Sequence, residues 1–426
     1  MPRLVHDRVT WLIYAQLGAW GYFLYGFGPV VPLLRDEQGT SAAIASLHST
    51  GLAVGALIGG AAFPGLARRY GRGHTLWLAL AGVAIGTTAL CLVGPLPGTL
   101  AASVATAVFG TIVVSAVVAA LTEHHASVAA AAISEANAAA AGMGVIAPLV
   151  VGLAVGRGLG WRPGLAVVVG LIALLAVATA IFRVRVPRGS SYRLVSPGAP
   201  AAGAAGAAAA RLPGPYWIAW TLIATVGSVE VCLSLWAADV LRFHVGMSAG
   251  GASAAVASIV AGMFAGRLVG GRLALRVPAV TLLLVAFAIS TAGFAGFWLA
   301  TVGWLAVVGL VVVGLGNAMQ YPLAVSLAVS AGGGQHDKAA AYTAYSVAIG
   351  FGLAPVALGW AADAVGAHPA FLLVPVFLAV AAALTTRLSR VERRRGPTGA
   401  RRLPSAGAPQ VRNPYPQLAE QVAQQG

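Results

Sequence analysis

Twelve apolar stretches, each long enough to cross a bilayer, constrain this chain more than any other feature. A helix needs ~20 apolar residues to span the hydrocarbon core. Such runs lie near 10–33, 42–66, 75–94, 99–121, 127–155 and 163–182, then near 216–240, 250–273, 278–299, 303–328, 339–364 and 368–387. Lipid offers no partner for a peptide N–H or C=O, so spans of this length must be helical. The third and fourth are divided by Gly94-Pro95-Leu96-Pro97-Gly98, a turn sequence. The ninth and tenth form one uncharged run, which we split at Thr301-Val302-Gly303. The first run, Val9 to Leu34, is too long for the apolar region of a signal peptide and has no small-residue cleavage site. Only 9% of the 426 residues are charged and 59% are hydrophobic, so a soluble fold would lack a charged surface. The expected fold class is an all-α polytopic membrane protein.

The twelve runs fall into two sets of six related by an offset of 207 residues. The shift carries Gly55 and Gly59 onto Gly262 and Gly266, and Leu34, Arg35, Gly39 and Ser41 onto Leu241, Arg242, Gly246 and Ser248. It also carries Leu66, Ala67 and Arg69 onto Leu273, Ala274 and Arg276, and Ala147, Pro148 and Gly152 onto Ala354, Pro355 and Gly359. One constant offset in separated regions indicates parallel structural repeats. Between them lies PRGSSYRLVSPGAPAAGAAGAAAARLPG, residues 187–214, whose Pro, Gly, Ala and Ser content reads as a solvated linker. The expected organisation is a six-helix bundle at 1–186, the linker at 187–214, a second bundle at 215–388 and a disordered tail at 389–426.

The net charge of +15 invites a nucleic-acid reading, but its distribution argues otherwise. With twelve spans both termini share one side. That side holds 22 of the 26 Arg and Lys residues, leaving Arg35, Arg157, Arg162 and Arg242 on the other. The positive-inside rule then places both termini and the linker in the cytoplasm, and the protein in the plasma membrane. No nucleic-acid partner is expected. Cys91 and Cys232 both sit in apolar runs and read as free thiols. Spans 2 and 8 carry small residues every fourth position, Gly51, Gly55 and Gly59, then Ser258, Gly262, Gly266 and Gly270. Such ladders let two backbones approach closely, with the added expectation that these spans slide against a neighbour.

Pro64-Gly65-Leu66-Ala67-Arg68-Arg69-Tyr70-Gly71-Arg72-Gly73, between spans 2 and 3, resembles the loop signature G-x-L-a-D-r-x-G-r-r of the major facilitator superfamily. Arg68 stands where that family has its Asp, and Leu275 stands there in the second repeat. The acid helps lock the outward-open state in the family, and this chain lacks it. Gly144 to Gly152 resembles the G-x-x-G-P-x-x-G-G stretch associated with exporters, and Gly160-Trp161-Arg162 is also frequent in the family. The Arg that drug–proton antiporters carry in span 4 is replaced by Thr106. The resemblance implies twelve spans in two halves, alternating access, and a central cavity lined by spans 1, 4, 7 and 10. It also implies Gly65, Arg68, Arg69, Gly71 and Arg72 as a gating loop.

Polar groups at bilayer depth are costly and mark function by default. Glu230, near the middle of span 7, stands out because its repeat equivalent is Phe23. It and Glu135 in span 5 are the candidate coupling acids. Gln16, Trp20, Tyr22, Thr106, Thr225, Ser228, Asn317, Gln320 and Tyr321 are the candidate substrate contacts in the cavity-lining spans. In span 7, Thr221, Thr225 and Ser228 share one helical face and Glu230 points nearly the opposite way, so either face could meet the cavity. Glu123, His124 and His125 read as a solvated turn. His48 reads as an interhelical hydrogen-bonding residue, and Arg267 as a side chain snorkelling to the interface.

The expected function is secondary active transport of a small organic solute, proton-coupled and with a lean to efflux. An importer or uniporter is the alternative, and a polytopic enzyme or a transporter-like sensor is a more distant one. The short loops carry no catalytic constellation. No G-x-x-x-x-G-K-[ST] motif is present, so an ion gradient supplies the energy and no cofactor or metal is expected. Spans 1, 4, 7 and 10 lack Arg and Lys at mid-depth, which favours a neutral, amphipathic or cationic solute. A monomer is expected. The orientation is testable. A Cys placed at Ser196 should escape a membrane-impermeant thiol reagent in intact cells, whereas one placed at Gly39 should be labelled; the reverse pattern would overturn it.

Overall fold

The computed structural model of the protein describes residues 4–125, 128–184, 211–274 and 276–394. Every regular element among them is a helix. In the first repeat these are α1 (Arg8–Phe27), α2 (Val30–Gln38), α3 (Ala42–Tyr70), α4 (Arg72–Leu92), α5 (Leu96–His125), α6 (Ala129–Gly156) and α7 (Arg162–Ile181). In the second they are α8 (Gly214–Phe243), α9 (Ala249–Ala255), α10 (Ala257–Leu273), α11 (Ala279–Trp298), α12 (Gly303–Ser330), α13 (His336–Val365), α14 (Ala367–Ala370) and α15 (Leu373–Arg394). Eleven stretches are long and apolar enough to cross a membrane, and α1 with α2 makes a twelfth when the 49° bend between them is counted within one span. Met1–Leu388 form one compact unit and Ser389–Gly426 a second, of which the end of α15 is described. Most of the expected linker, 185–210, and the tail from 395 lie outside the described residues.

Two boundaries differ from the sequence reading. The first span is not one straight helix over 10–33. It breaks at Gly28-Pro29, because Pro29 has no N–H to donate and its ring collides with the carbonyl four residues back. The last helix runs on to Arg394 instead of ending near 387, since Ser389 to Arg394 contains no Gly or Pro to stop it.

The 207-residue repeat is visible in the contacts themselves. A Cβ added to Gly55 would stand 2.4 Å from the Val104 carbonyl oxygen, and one added to Gly262 would stand 2.2 Å from that of Val311. Gly59 faces the Val108 carbonyl as Gly266 faces that of Leu315. Gly86 meets the Thr106 amide as Gly293 meets that of Val313. Partners as well as glycines are thus shifted by 207. In each repeat the fourth span is clamped between its second and third.

These contacts also assign the glycine ladders. They join α3 to α5 and α10 to α12, within a repeat. The expectation that the ladders slide against a neighbour is therefore corrected: they are the tight seams inside each bundle, where backbone lies on backbone. What meets the other repeat is another part of α3, through Ala42, Ser46, Ser49 and Thr50.

A side chain at Gly55 has nowhere to go, whereas Gly60 has nothing within 4 Å of an added Cβ. Gly55→Ala should cost about 1–3 kcal/mol by overpacking. Gly60→Ala should be neutral or gain up to ~1 kcal/mol from helix propensity. Melting of the purified variants in detergent distinguishes them, and equal melting temperatures would contradict the packing assignment.

Candidate functional site

The two ends of the bundle differ in charge, and the repeats meet at the Arg-poor end, the one carrying Arg35, Arg157, Arg162 and Arg242. There α2 and α8 are joined by four charged side chains. Arg35 pairs with Asp239, whose side chain is fully buried. Arg35 also donates to Asp36 at 2.7 Å, and Arg242 donates to Asp36 at 2.8 Å. Arg242 lies 3.8 Å from Asp239, so each cation touches both acids. The Arg35 guanidinium sits 5.4 Å from the centre of the Trp236 ring, and the Trp236 indole donates to Ser46 at 3.2 Å.

The seam extends from these pairs along both flanks. On one, Asp363 of α13 accepts from the Ala42 and Ala43 amides at 2.7 and 3.0 Å, supplying an acceptor to the open first turn of α3. Below it the Ser46, Ser49 and Thr50 hydroxyls donate to carbonyls of Pro355, Phe351 and Gly352 at 2.6–2.7 Å. On the other flank Gly152 of α6 lies against Gly250 and Ala254 of α9. Gly359 against Ala42 and Ala43 is the counterpart with the repeats exchanged, Gly152 carried forward to Gly359 and Gly250 back to Ala43 by the same 207 residues. The exporter-like stretch thus supplies packing: Gly144 receives the Tyr25 ring and Gly152 closes the seam.

A cluster of ionisable groups lies one helical turn from the seam. Gly28 touches the backbone of Ser234, leaving 2.5 Å between an added Cβ and the Ser234 oxygen. One turn back from these residues lie Tyr25 on α1 and Glu230 on α8. Arg267 of α10 is the cation within electrostatic reach of both. Tyr321 of α12 is within electrostatic reach of the same carboxylate. Four spans from two repeats converge here, yet Glu230 is only half-buried, and Arg267 and Tyr321 remain exposed.

Arg267 is the residue that sequence reasoning missed, and the snorkelling assignment is corrected. The cavity-lining spans carried no cation because the cation comes from span 8. The face of span 7 is also decided. Ala224 and Ser228 lie against Gly350 of α13, which leaves Glu230 facing the cluster.

The other candidates are placed as follows. Tyr321 is in the cluster. Gln16 is fully buried, and neither end of its amide has a partner. Trp20 lies flat on Gly110 and stacks on Phe23 at 5.6 Å. Tyr22 is completely buried, donating to the Gly164 carbonyl at 2.6 Å, and Thr106 is packed on Gly86 with its hydroxyl turned to Ala102. Tyr22 and Thr106 therefore face neighbouring helices of their own repeat, a correction to their cavity assignment. Thr225 and Ser228 are buried and donate to the carbonyls one turn back. Asn317 and Gln320 form a buried network with Ser290 of α11, at 2.7–3.1 Å. Period alone cannot separate a face that meets a cavity from one that meets a helix, and most of these positions met a helix.

Glu135 lies at the Arg-rich end, accepting from His6 at 2.6 Å and from Tyr14 at 3.2 Å. Beside it, His124 donates to Asp7 at 2.8 Å, and His125 lies 2.8 Å from the Thr10 hydroxyl. Burial pushes the Asp7 carboxyl up, but the Thr10 hydroxyl and amide together with His124 outweigh it and hold the group at about 2. The expected solvated turn is thus an anchor for the start of α1, with Glu123 paired to Arg72. In the gating loop Gly71 adopts φ +76°, which joins α3 to α4, while Gly65, Arg68 and Arg69 are exposed. His48 is held between the Ala45 carbonyl and the Thr99 hydroxyl at 2.9 Å each, as expected.

Residues 13–348 match the family model of the Major Facilitator Superfamily. No curated protein sequence matches the chain. Among solved structures, a bacterial homologue of the human lysosomal transporter Spinster, inward-facing and unoccupied, is 17% identical with a TM-score of 0.72, covering 91% of this chain and 97% of its own. The nucleoside transporter NupG, as a point mutant, is 13% identical with a TM-score of 0.73, covering 89% and 98%. A D-xylose–proton symporter is 15% identical with a TM-score of 0.72, covering 89% and 96%. At these identities the likeness is one of fold.

The seam can be broken at one residue. Removing one partner of a buried pair leaves an uncompensated charge, at a cost of about 3–5 kcal/mol. An added Cβ on Gly352 lies 3.6 Å from that of Ala53, within disulfide reach. In a background without Cys91 and Cys232, Ala53→Cys with Gly352→Cys should crosslink readily. Adding Arg35→Ala should lower the yield several-fold, and an unchanged yield would show that the ion pairs do not hold the seam.

Proposed function

This chain belongs to the major facilitator superfamily, and from that premise we propose that it is a proton-coupled secondary transporter of a small organic solute, with Glu230 as the coupling acid. Family membership makes it a transporter and not an enzyme. The state described is read as inward-facing. Its repeats are closed on each other at the Arg-poor end, which the positive-inside rule puts outside. The Spinster homologue it resembles is itself inward-facing. Rocking of the two bundles, 1–186 and 215–388, about the cluster then exposes it to either side. The ladder seams would travel within each bundle, and the ion pairs between α2 and α8 would form and break.

One observation carries the coupling role: Glu230 lies within electrostatic reach of Arg267, the only cation acting on it among the described residues, and they stand on different spans. Hydration and the distance to a guanidinium together govern whether a carboxyl holds its proton. Both change when the bundles rock. Glu135 does not fit this role as well, because it is exposed at one end and tied to His6. Net direction follows the gradients of proton and solute. The efflux lean rests on a stretch whose glycines are accounted for by packing.

The test is transport in proteoliposomes of the full chain, with solutes screened under an imposed pH gradient and a trapped pH dye reporting proton movement. Glu230→Gln should reach the membrane and keep solute exchange. It should lose gradient-driven accumulation, by tenfold or more if the acid is the coupling site. Undiminished gradient-driven accumulation by Glu230→Gln would overturn the assignment.

A further inference from the structure

At the Arg-poor end of the second repeat three aromatic rings are stacked, and two of them titrate. The His368 imidazole of α14 lies 4.4 Å from the Trp298 ring at 11°, and the His244 imidazole lies 3.6 Å from that of His368 at 8°. Two rings cannot both lie flat on one face of an imidazole, so His368 is held between them. Its orientation is fixed by a reciprocal pair of hydrogen bonds. The Trp298 indole donates to the His368 carbonyl at 3.0 Å, and His368 Nε2 lies 2.9 Å from the Trp298 carbonyl oxygen. That oxygen can only accept, so Nε2 carries the hydrogen and Nδ1 keeps its lone pair. His244 is exposed and caps the C-terminus of α8, two residues beyond Arg242. The stack therefore ties the outer ends of α8 and α11 to α14, beside the ion pairs that α8 makes with α2.

We propose that the His244–His368 pair is a proton-binding site on the outer face, a clasp that holds the outer end of α8 at neutral pH and lets go when the outer solution is acidified. The inference rests on the inward-facing, alternating-access reading above. One imidazolium is tolerated in the stack, over the Trp298 ring and beside the last carbonyls of α11. Two imidazoliums in ring contact repel, so the second proton parts the rings. Burial and the neighbouring His368 hold His244 below the ordinary histidine value. A base whose folded pKa is lowered stabilises the closed arrangement above its ordinary value of ~6.5, and that contribution is lost as pH falls through the lowered one. The other charged groups at this end are engaged in the seam. Asp239 and Arg242 of α8 pair with Arg35 and Asp36 of α2, Glu37 of α2 pairs with Arg162, and Asp363 of α13 accepts from α3. α9, α11, α12 and α15 bring no titratable side chain to this end. Once His244 leaves, the last turn of α8 loses its tie to α14, and the Arg242–Asp36 bond across the repeats weakens with it. Acid outside then favours the outward-open state, which presents the coupling site to the side that supplies protons.

The test uses the full chain in intact cells, so that only the outer pH changes. The reporter is the disulfide between Ala53→Cys and Gly352→Cys in the background without Cys91 and Cys232, whose yield reads the closed seam. Outer pH is moved from about one unit above the ordinary histidine value to about one and a half below it. The yield should fall several-fold on acidification. His244→Phe keeps a stacking ring without the charge and should hold the high yield throughout. His244→Lys carries a permanent charge without the ring and should give the low yield throughout. Position 244 is exposed, so neither change disturbs the core, and the pH dependence of thiol oxidation is common to all variants. No fall in the parent, a parental pH response in His244→Phe, or a high yield at neutral pH in His244→Lys would each overturn the proposal. Glu230→Gln separates the clasp from coupling, since it should keep the parental response. A response lost in Glu230→Gln but kept in His244→Phe would remove the clasp and leave the coupling reading standing. A response lost only in His244→Phe, alongside undiminished gradient-driven transport by Glu230→Gln, would retain the clasp and remove the coupling role.

Discussion

Peptide groups in lipid have nothing to bond with but each other, and the rest of this structure follows from that constraint. It makes every span a helix. It also removes the usual force that packs helices, since a lipid tail is as apolar as a leucine. What holds α3 to α5 and α10 to α12 is therefore closeness. Gly55 and Gly262 put backbone against backbone, where dispersion and the weak attraction of Cα–H groups for carbonyls act over many atoms. The same geometry recurs at the 207-residue offset because both repeats solve the same problem with the same residue.

Contacts between the repeats add a second kind. Within a bundle the seams of α3 on α5 and of α10 on α12 set glycine against backbone. Between bundles glycine meets backbone as well, at Gly28, Gly152 and Gly359, but there it is accompanied by hydroxyl-to-carbonyl bonds, an acid on a helix N-terminus, and two arginines shared by two aspartates. Such bonds can be exchanged for water at modest net cost, since each group that lets go is hydrated again. Glycine-on-backbone packing has no comparable substitute. The exchangeable ion pairs and the acid on a helix N-terminus at the seam between the bundles support the proposed rocking.

Particular residues show how far the candidate site was legible. Glu230 could be found because a carboxylate in a span, with Phe23 as its repeat equivalent, has no packing explanation. Tyr22 and Thr106 look equally suitable on a helical wheel, yet one bonds to Gly164 and the other fills the space beside Gly86. Arg267 was assigned by its distance along the span rather than by its neighbours. A long side chain near a helix end can snorkel outward or turn inward, and only the position of α10 on α12 chooses between them.

By itself the sequence determined the number and length of the spans, their helical state, the two repeats and the bias of charge toward one end. Those are local or additive properties: an apolar run, a constant offset, a count of arginines. Tertiary structure decided which glycines face which carbonyls, which end of the bundle is shut, and that Glu230, Tyr25, Tyr321 and Arg267 share one space. Each of these depends on the rotation of one helix about its axis relative to another. In a chain whose spans are apolar all round, no amphipathic stripe records that rotation; it is set by how the helices fit.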